Sequence, residues 1–209
     1  MNAALSTITA ILKRALPLKE LPRTGWIMEG APRNDSDSVA AHSYSVSLIS
    51  LLVVQQLLPT HHSLSMERVL RMAVLHDLGE SITGEIAAGF KRRVAATPGR
   101  ESMLDEIELE VFSTLLDGVH DQPALVAALH EFNECKTPEA KIVKFADVLD
   151  AHAHGRTRLN RIFERALQAA DKKLRKHSPE SDAGVGLLLA GWLVEANSGW
   201  DSVPAKPIS

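Results

Sequence analysis

The chain has 209 residues, 45% of them hydrophobic and 23% charged, with a formal charge of −3. That balance fits one globular domain and excludes a wholly disordered chain, while the single Cys135 excludes a disulfide scaffold or a Cys-rich zinc module and points to a reducing compartment. No basic field advertises nucleic acid binding, but nine histidines are many for this length and direct the search toward metal ligands.

Helical spacing dominates, and the 4% aromatic content is low for a sheet protein. Leu5, Ile8, Ile11, Leu12 and Leu16 form an apolar stripe that ends before Pro17 and Pro22. Residues 21–37 hold Gly25, Gly30, Pro32 and Asn34, which is loop chemistry. Ser38 is an N-cap for a helix reaching about residue 58, before Pro59. Helices follow over 66–78, 101–116, 123–133, 138–154, 156–176 and 183–196. The expected fold is all-α with roughly eight to nine helices. It forms one domain over 1–198, with a core of about 5–154, a helical elaboration over 155–198 and a flexible tail at 199–209.

Between Asp37 and Glu67 the chain has no Asp, Glu, Lys or Arg, a length sufficient to cross a bilayer. The stretch nevertheless holds His42, several serines, Gln55, Gln56 and Pro59, so it reads as a buried helix and its turn. Lys13 and Arg14 follow the first apolar stretch, the reverse of a signal peptide. The expectation is a soluble, cytoplasmic protein with no membrane and no nucleic acid partner.

His76-Asp77 ends an apolar helix between Leu75 and Leu78, so the pair points inward. A buried carboxylate needs a cation or donors, and a divalent metal also accepts imidazole nitrogen. Glu80 lies four residues beyond His76, one turn on if the helix continues, close enough to manage a proton. His42 shares a stripe with Val46, Ile49 and Val53, and Asp147 is embedded among Phe145, Val148 and Leu149. His42, His76, Asp77 and Asp147 thus offer a mixed nitrogen and oxygen set for one divalent ion: zinc, cobalt, manganese, iron or magnesium. Arg23 offers a planar fork of donors for a phosphate monoester.

The order His … His-Asp … Asp resembles the HD-domain metal-dependent phosphohydrolases, and within them the YfbR-like 5′-deoxyribonucleotidases. The likeness extends to LPRTGW (21–26), SVAAHS (38–43), AVLHDLGESITGEI (73–86) and EAKIVKFADVLDA (139–151). The resemblance implies an HD-type helical fold, hydrolysis of nucleoside 5′-monophosphates, and a homodimer. It implies His42, His76, Asp77 and Asp147 as metal ligands and Glu80, beside Asp77, as the catalytic acid/base. It also places Arg23, Trp26 and Glu85 at the substrate.

Two positions depart from the pattern. Ala41 stands where such proteins carry Asp or Glu, which implies weaker metal binding. Glu85 replaces a shorter acid after Thr83-Gly84, which leaves nucleotide selectivity open. Arg33, Lys144, His152, His154 and the His61-His62 pair read as solvated or partly exposed. Two other readings stand beside the nucleotidase: the same centre acting on another phosphate ester, and a non-catalytic helical protein with a structural metal.

Overall fold

A computed structural model describes residues 2–100, 102–159, 164–176 and 183–202. It is all-α. Among the described residues there are eleven α-helical segments and no strand; the single β-type contact is a bridge between Pro22 and Ser38. Nine of those segments have eight residues or more, and the other two are short turns of helix.

α1 (Ala3–Ala15) starts at Asn2, whose side chain accepts from the Ala4 amide. Its stripe is not core. Leu5, Ile8, Leu12 and Leu16 are each more than half exposed, and Ile11 alone of that stripe packs on the interior. A 3₁₀ turn at Leu16–Lys19 follows. The expected loop over 21–37 contains a short helix, α2 (Thr24–Met28), which the glycines obscure in the sequence. Bonds from the Arg23 amide to Asp37 O and from the Val39 amide to Leu21 O close this segment at its base. Arg23 is thereby fixed beside the start of the next helix.

α3 (Val39–Leu57) is capped by Ser38, which accepts from the Ala41 amide. By length and composition α3 can cross a membrane; its buried face (His42, Val46, Ser50, Val53, Val54, Leu57) packs on α4 (Met66–Leu75) and α9 (Pro138–Arg158). α4 is capped by Ser65 and stops three residues earlier than its apolar pattern, with His76 closing it. Tight i to i+3 bonds at Leu78 and Glu80 replace α-helical ones ahead of α5 (Glu80–Thr83). His76 and Glu80 therefore do not stand on one continuous helix. Gly84, with φ of +69°, then turns the chain toward Glu85, a conformation costly for a side-chain residue.

α6 (Ala88–Ala95) has no counterpart in the sequence reading, because it carries only Phe90 and Val94 as large apolar residues and Phe90 is exposed. α7 (Met103–Leu115) and α8 (Gln122–Glu134) pair through Phe112, Leu116 and Leu129. α9 is the central element, with Thr137 as N-cap and Pro138 in its first turn, and it runs four residues past the expected end at 154. Charges buried on it are all matched: Glu139 accepts from the Ser65 amide at 3.0 Å, and Lys141 donates to Lys176 O at 2.9 Å.

α10 (Glu164–Arg175) and α11 (Ala183–Gly199) cover the other side of α9. The helix expected over 156–176 is therefore divided, since 156–158 belong to α9. Of the expected tail, residues 200–202 form a 3₁₀ turn held by Arg156 on Asp201 at 2.8 Å; residues 203–209 lie outside the described residues.

Candidate metal centre and active site

α3, α4 and α9 each bring an ionisable side chain to one point. His42 and His76 are buried, and both Nε2 atoms are enclosed with no hydrogen-bond partner. Unpaired buried polar atoms are costly, so two that converge beside carboxylates make a candidate ligand site. His42 Nε2 lies 3.3 Å from Asp147 Oδ1 and 3.7 Å from Asp77 Oδ2; His76 Nε2 lies 3.2 Å from Asp77 Oδ2. One ligand atom from each of His42, His76 and Asp147 falls within a 4.8 Å span, a set that fits a divalent ion. Asp77 stands next to that set but is also held by Arg23 Nη1 at 3.0 Å.

The far side of each imidazole is anchored. His76 Nδ1 donates to Ala73 O at 2.9 Å, and His42 Nδ1 lies 2.6 Å from Asp150 Oδ2. Burial and the Arg23 charge oppose protonation of His42, yet Asp147 and Asp150 outweigh them and raise it to about 9. A proton thus balances the carboxylates, and a cation entering there displaces it. Burial disfavours the Asp77 and Asp147 charges as well. His76 and Arg23 nevertheless hold Asp77 far below the usual carboxylate range, and Lys144 and His42 do the same for Asp147.

Beside the cluster opens a cavity of about 360 Å³ whose wall includes Arg23, His76, Asp77, Glu80, Glu85 and Asp147. Glu80 is the distinctive acid in it. Its Oε2 is enclosed without a partner, and burial followed by the Asp77 charge pushes the carboxyl up to about 9. Glu80 therefore carries its own proton at neutrality, the form a general acid requires.

Arg23 spans two acids, with Nη1 on Asp77 and Nε 3.1 Å from Glu85. Burial works against its charge, but those carboxylates raise its pKa further. Glu85 also accepts the Thr24 amide, so both its oxygens secure the α2 segment. Trp26 is not among the residues lining this cavity. It is buried, donates from Nε1 to Asp37 at 3.1 Å and stacks on His154 at 5.3 Å between ring centres.

Several expectations are corrected. Lys144 is not a solvated lysine: it pairs with Asp147 at 2.6 Å on the cavity wall. His152 is 1% exposed, with its ring edge-on to Trp200, because α9 is covered on that face. His154 is partly exposed, as expected, and its ring is held between Trp26 and Asp35 O. Residues unmarked in the sequence also join the wall: Lys91, paired with Glu108 at 2.6 Å, and Lys173 from α10. Asp150 had a signal, since it lies three residues beyond Asp147 and shares its helix face. Lys91, Glu108 and Lys173 had none, because packing of α6, α7 and α10 brings them in.

The fold and this cluster define an all-α protein with a buried His/Asp centre fitted to a divalent metal. A family model described as HD domain matches residues 16–180, and the chain belongs to that family. It is 31% identical over 150 residues to the 5′-deoxynucleotidase hdd1 of Schizosaccharomyces pombe, covering 70% of each chain. With the 5′-deoxynucleotidase HDDC2 of Danio rerio it shares 31% identity over 133 residues, spanning 64% of this chain and 60% of that one. A conserved hypothetical protein of Pyrococcus furiosus has a similar structure, with a TM-score of 0.65 at 25% identity over 90% of this chain and 98% of that one. A predicted metal-dependent phosphohydrolase of Magnetospirillum magnetotacticum shares the fold, with a TM-score of 0.62 at 18% identity over 94% and 97% of the chains.

Proposed function

We propose that the protein is a divalent-metal-dependent phosphomonoesterase that removes the 5′-phosphate of nucleoside monophosphates, deoxyribonucleotides foremost. The observation that carries this reading is the convergence of the His42 and His76 Nε2 atoms with Asp77 and Asp147 on a cavity wall that also holds the enclosed carboxyl of Glu80. His42, His76, Asp77 and Asp147 hold one ion, and their mixed set admits manganese, cobalt, zinc, iron or magnesium. Such an ion would supply Lewis acidity toward the phosphoryl group and make water more acidic at neutral pH.

The remaining steps belong to the side chains. Arg23, with five N–H donors, keeps its hold on Asp77 and Glu85 and still has donors for a phosphate oxygen. Water forms the new bond to phosphorus as the P–O bond to the sugar breaks. Glu80 delivers its proton to the departing sugar oxygen, which leaves as the alcohol, and regains one from that water, so inorganic phosphate is the second product. The cavity volume of about 360 Å³ suits a mononucleotide. The names of the fission yeast and zebrafish relatives support the deoxyribonucleotide preference.

The reading includes a soluble cytoplasmic protein that pairs as a homodimer. Supporting the pairing are the solvent-facing stripes of α1 (Leu5, Ile8, Leu12) and α3 (Tyr44, Leu48, Leu52), which carry no charge to repel a second copy.

The test is phosphate release from a panel of deoxy- and ribonucleoside 5′-monophosphates with each metal added, and with chelator as control. The expected result is metal-dependent turnover that favours deoxy forms and vanishes in His76→Ala and Asp77→Ala proteins of unchanged helicity. Silence across the panel, or turnover surviving either substitution, overturns the reading.

A further inference from the structure

α9 approaches the His42 ring from both of its nitrogens. Asp147 Oδ1 faces Nε2 at 3.3 Å, and Asp150 Oδ2, almost one turn further along, meets Nδ1 at 2.6 Å. A neutral imidazole has one N–H; donated from Nδ1 to Asp150, it leaves the Nε2 lone pair aimed at the cluster. His76 reaches the same state by other means, with Nδ1 donating to Ala73 O. Once a cation has displaced the second proton of His42, both enclosed Nε2 atoms are presented as acceptors, one through a backbone carbonyl and one through a carboxylate.

Position 41 does not provide that carboxylate. Ala41 and Asp150 line one cavity of about 300 Å³ together with Asp37, Ser45 and His154. Asp37 is already committed to Trp26 Nε1 at 3.1 Å. Asp37, His42 and Asp150 also form a compact donor set, but the Nδ1–H···O bond at 2.6 Å occupies the nitrogen a second ion would need.

We propose that Asp150 is the positioning residue of the metal centre: it holds His42 with its Nε2 lone pair toward the ion and supplies from α9 the support that Ala41 lacks. This rests on the metal centre described under the proposed function. A carboxylate behind a ligating imidazole fixes its orientation and raises its basicity, and losing it costs about 10–100-fold in metal affinity.

The experiment measures cobalt(II) affinity by chelator competition, with the visible spectrum of the cobalt protein, for full-length wild type, Asp150→Asn and Asp150→Ala. Helicity is checked by circular dichroism. The expected result is affinity about 10–100-fold weaker in Asp150→Ala, with a changed spectrum and less loss in Asp150→Asn, which keeps an acceptor for Nδ1–H. In the zinc-loaded protein the slowly exchanging His42 Nδ1 proton resonance disappears in Asp150→Ala, while that of His76 persists. Asp150→Asn covers the case in which the alanine protein does not fold. Wild-type affinity and spectrum in the variants overturn the positioning role while leaving the metal centre intact. A wild-type protein that takes up no cobalt overturns the metal centre, and this inference with it.

Discussion

Glu80 has an enclosed carboxyl oxygen with no cation on it. Arg23 serves Asp77 and Glu85, Lys144 serves Asp147 and Lys91 serves Glu108, whereas Glu80 Oε2 is unpaired. Glu80→Gln keeps the shape and removes the transferable proton. It is expected to lower kcat by about 10²–10⁴ while metal affinity stays at the wild-type value, which separates proton transfer from ligation. His152 makes the opposite kind of contribution. Burial, with Arg156 second, lowers its pKa below the ordinary 6.5, and neither ring nitrogen has a hydrogen-bond partner. The folded protein keeps this ring neutral while the unfolded chain protonates it, so its share of stability is full above pH 6.5 and is lost as pH falls through the folded value. Urea midpoints at pH 7.5 and 5.5 are expected to differ more for wild type than for His152→Leu; an equal difference removes His152 as the cause.

Among the elements, α10 and α11 show how a backbone approach shapes the site. A Cβ built on Gly186 of α11 collides with the Leu174 carbonyl oxygen of α10 and comes within 3.3 Å of Lys141 Nζ. Helix propensity alone favours alanine over glycine by about 1 kcal/mol. The clash is with backbone and cannot be relieved by a rotamer, and overpacking of this kind costs about 1–3 kcal/mol. Gly186→Ala is therefore expected to lower Tm by a few degrees, measured by calorimetry, and a raised Tm contradicts the close packing. Because α10 also carries Lys173 to the cavity wall, loosening this pair affects the site from outside the three helices that hold the His/Asp cluster.

At the level of the whole molecule, α1 and α3 leave large apolar side chains in solvent, Leu5, Ile8 and Leu12 on one and Tyr44, Leu48 and Leu52 on the other. Tyr44 and Leu12 are 71% and 60% exposed, and no charge interrupts α3 from Val39 to Leu57. Burial against a second copy is favourable by roughly 25 cal/mol per Å² of apolar area. In the proposed homodimer Ile8→Asp or Leu48→Asp would bury an unpaired charge in the interface, so either is expected to shift the protein toward monomer in analytical ultracentrifugation. A wild-type protein that sediments as a monomer at all concentrations removes the pairing from the proposed function.

The helical class, the cap Ser38 and the candidate set His42, His76, Asp77 and Asp147 are all written in local sequence. Periodicity and the cost of burying a lone carboxylate are visible without neighbours. Short elements escaped: α2 behind its glycines, α6 with two large apolar residues, and the tight turns that end α4 at Leu75. The role of Asp150 escaped for a different reason. Its spacing from Asp147 is readable, but its partner is 108 residues away on α3. Likewise Leu5, Ile8 and Leu12 have the spacing of a core stripe, and only the packing of the chain leaves them in solvent. By itself the sequence determined which residue types lie on one face of each helix, because that follows from 3.6 residues per turn. Tertiary structure alone decided which faces meet, and so which acid backs His42 and which cations reach the cavity, because those pairings depend on how separate helices pack.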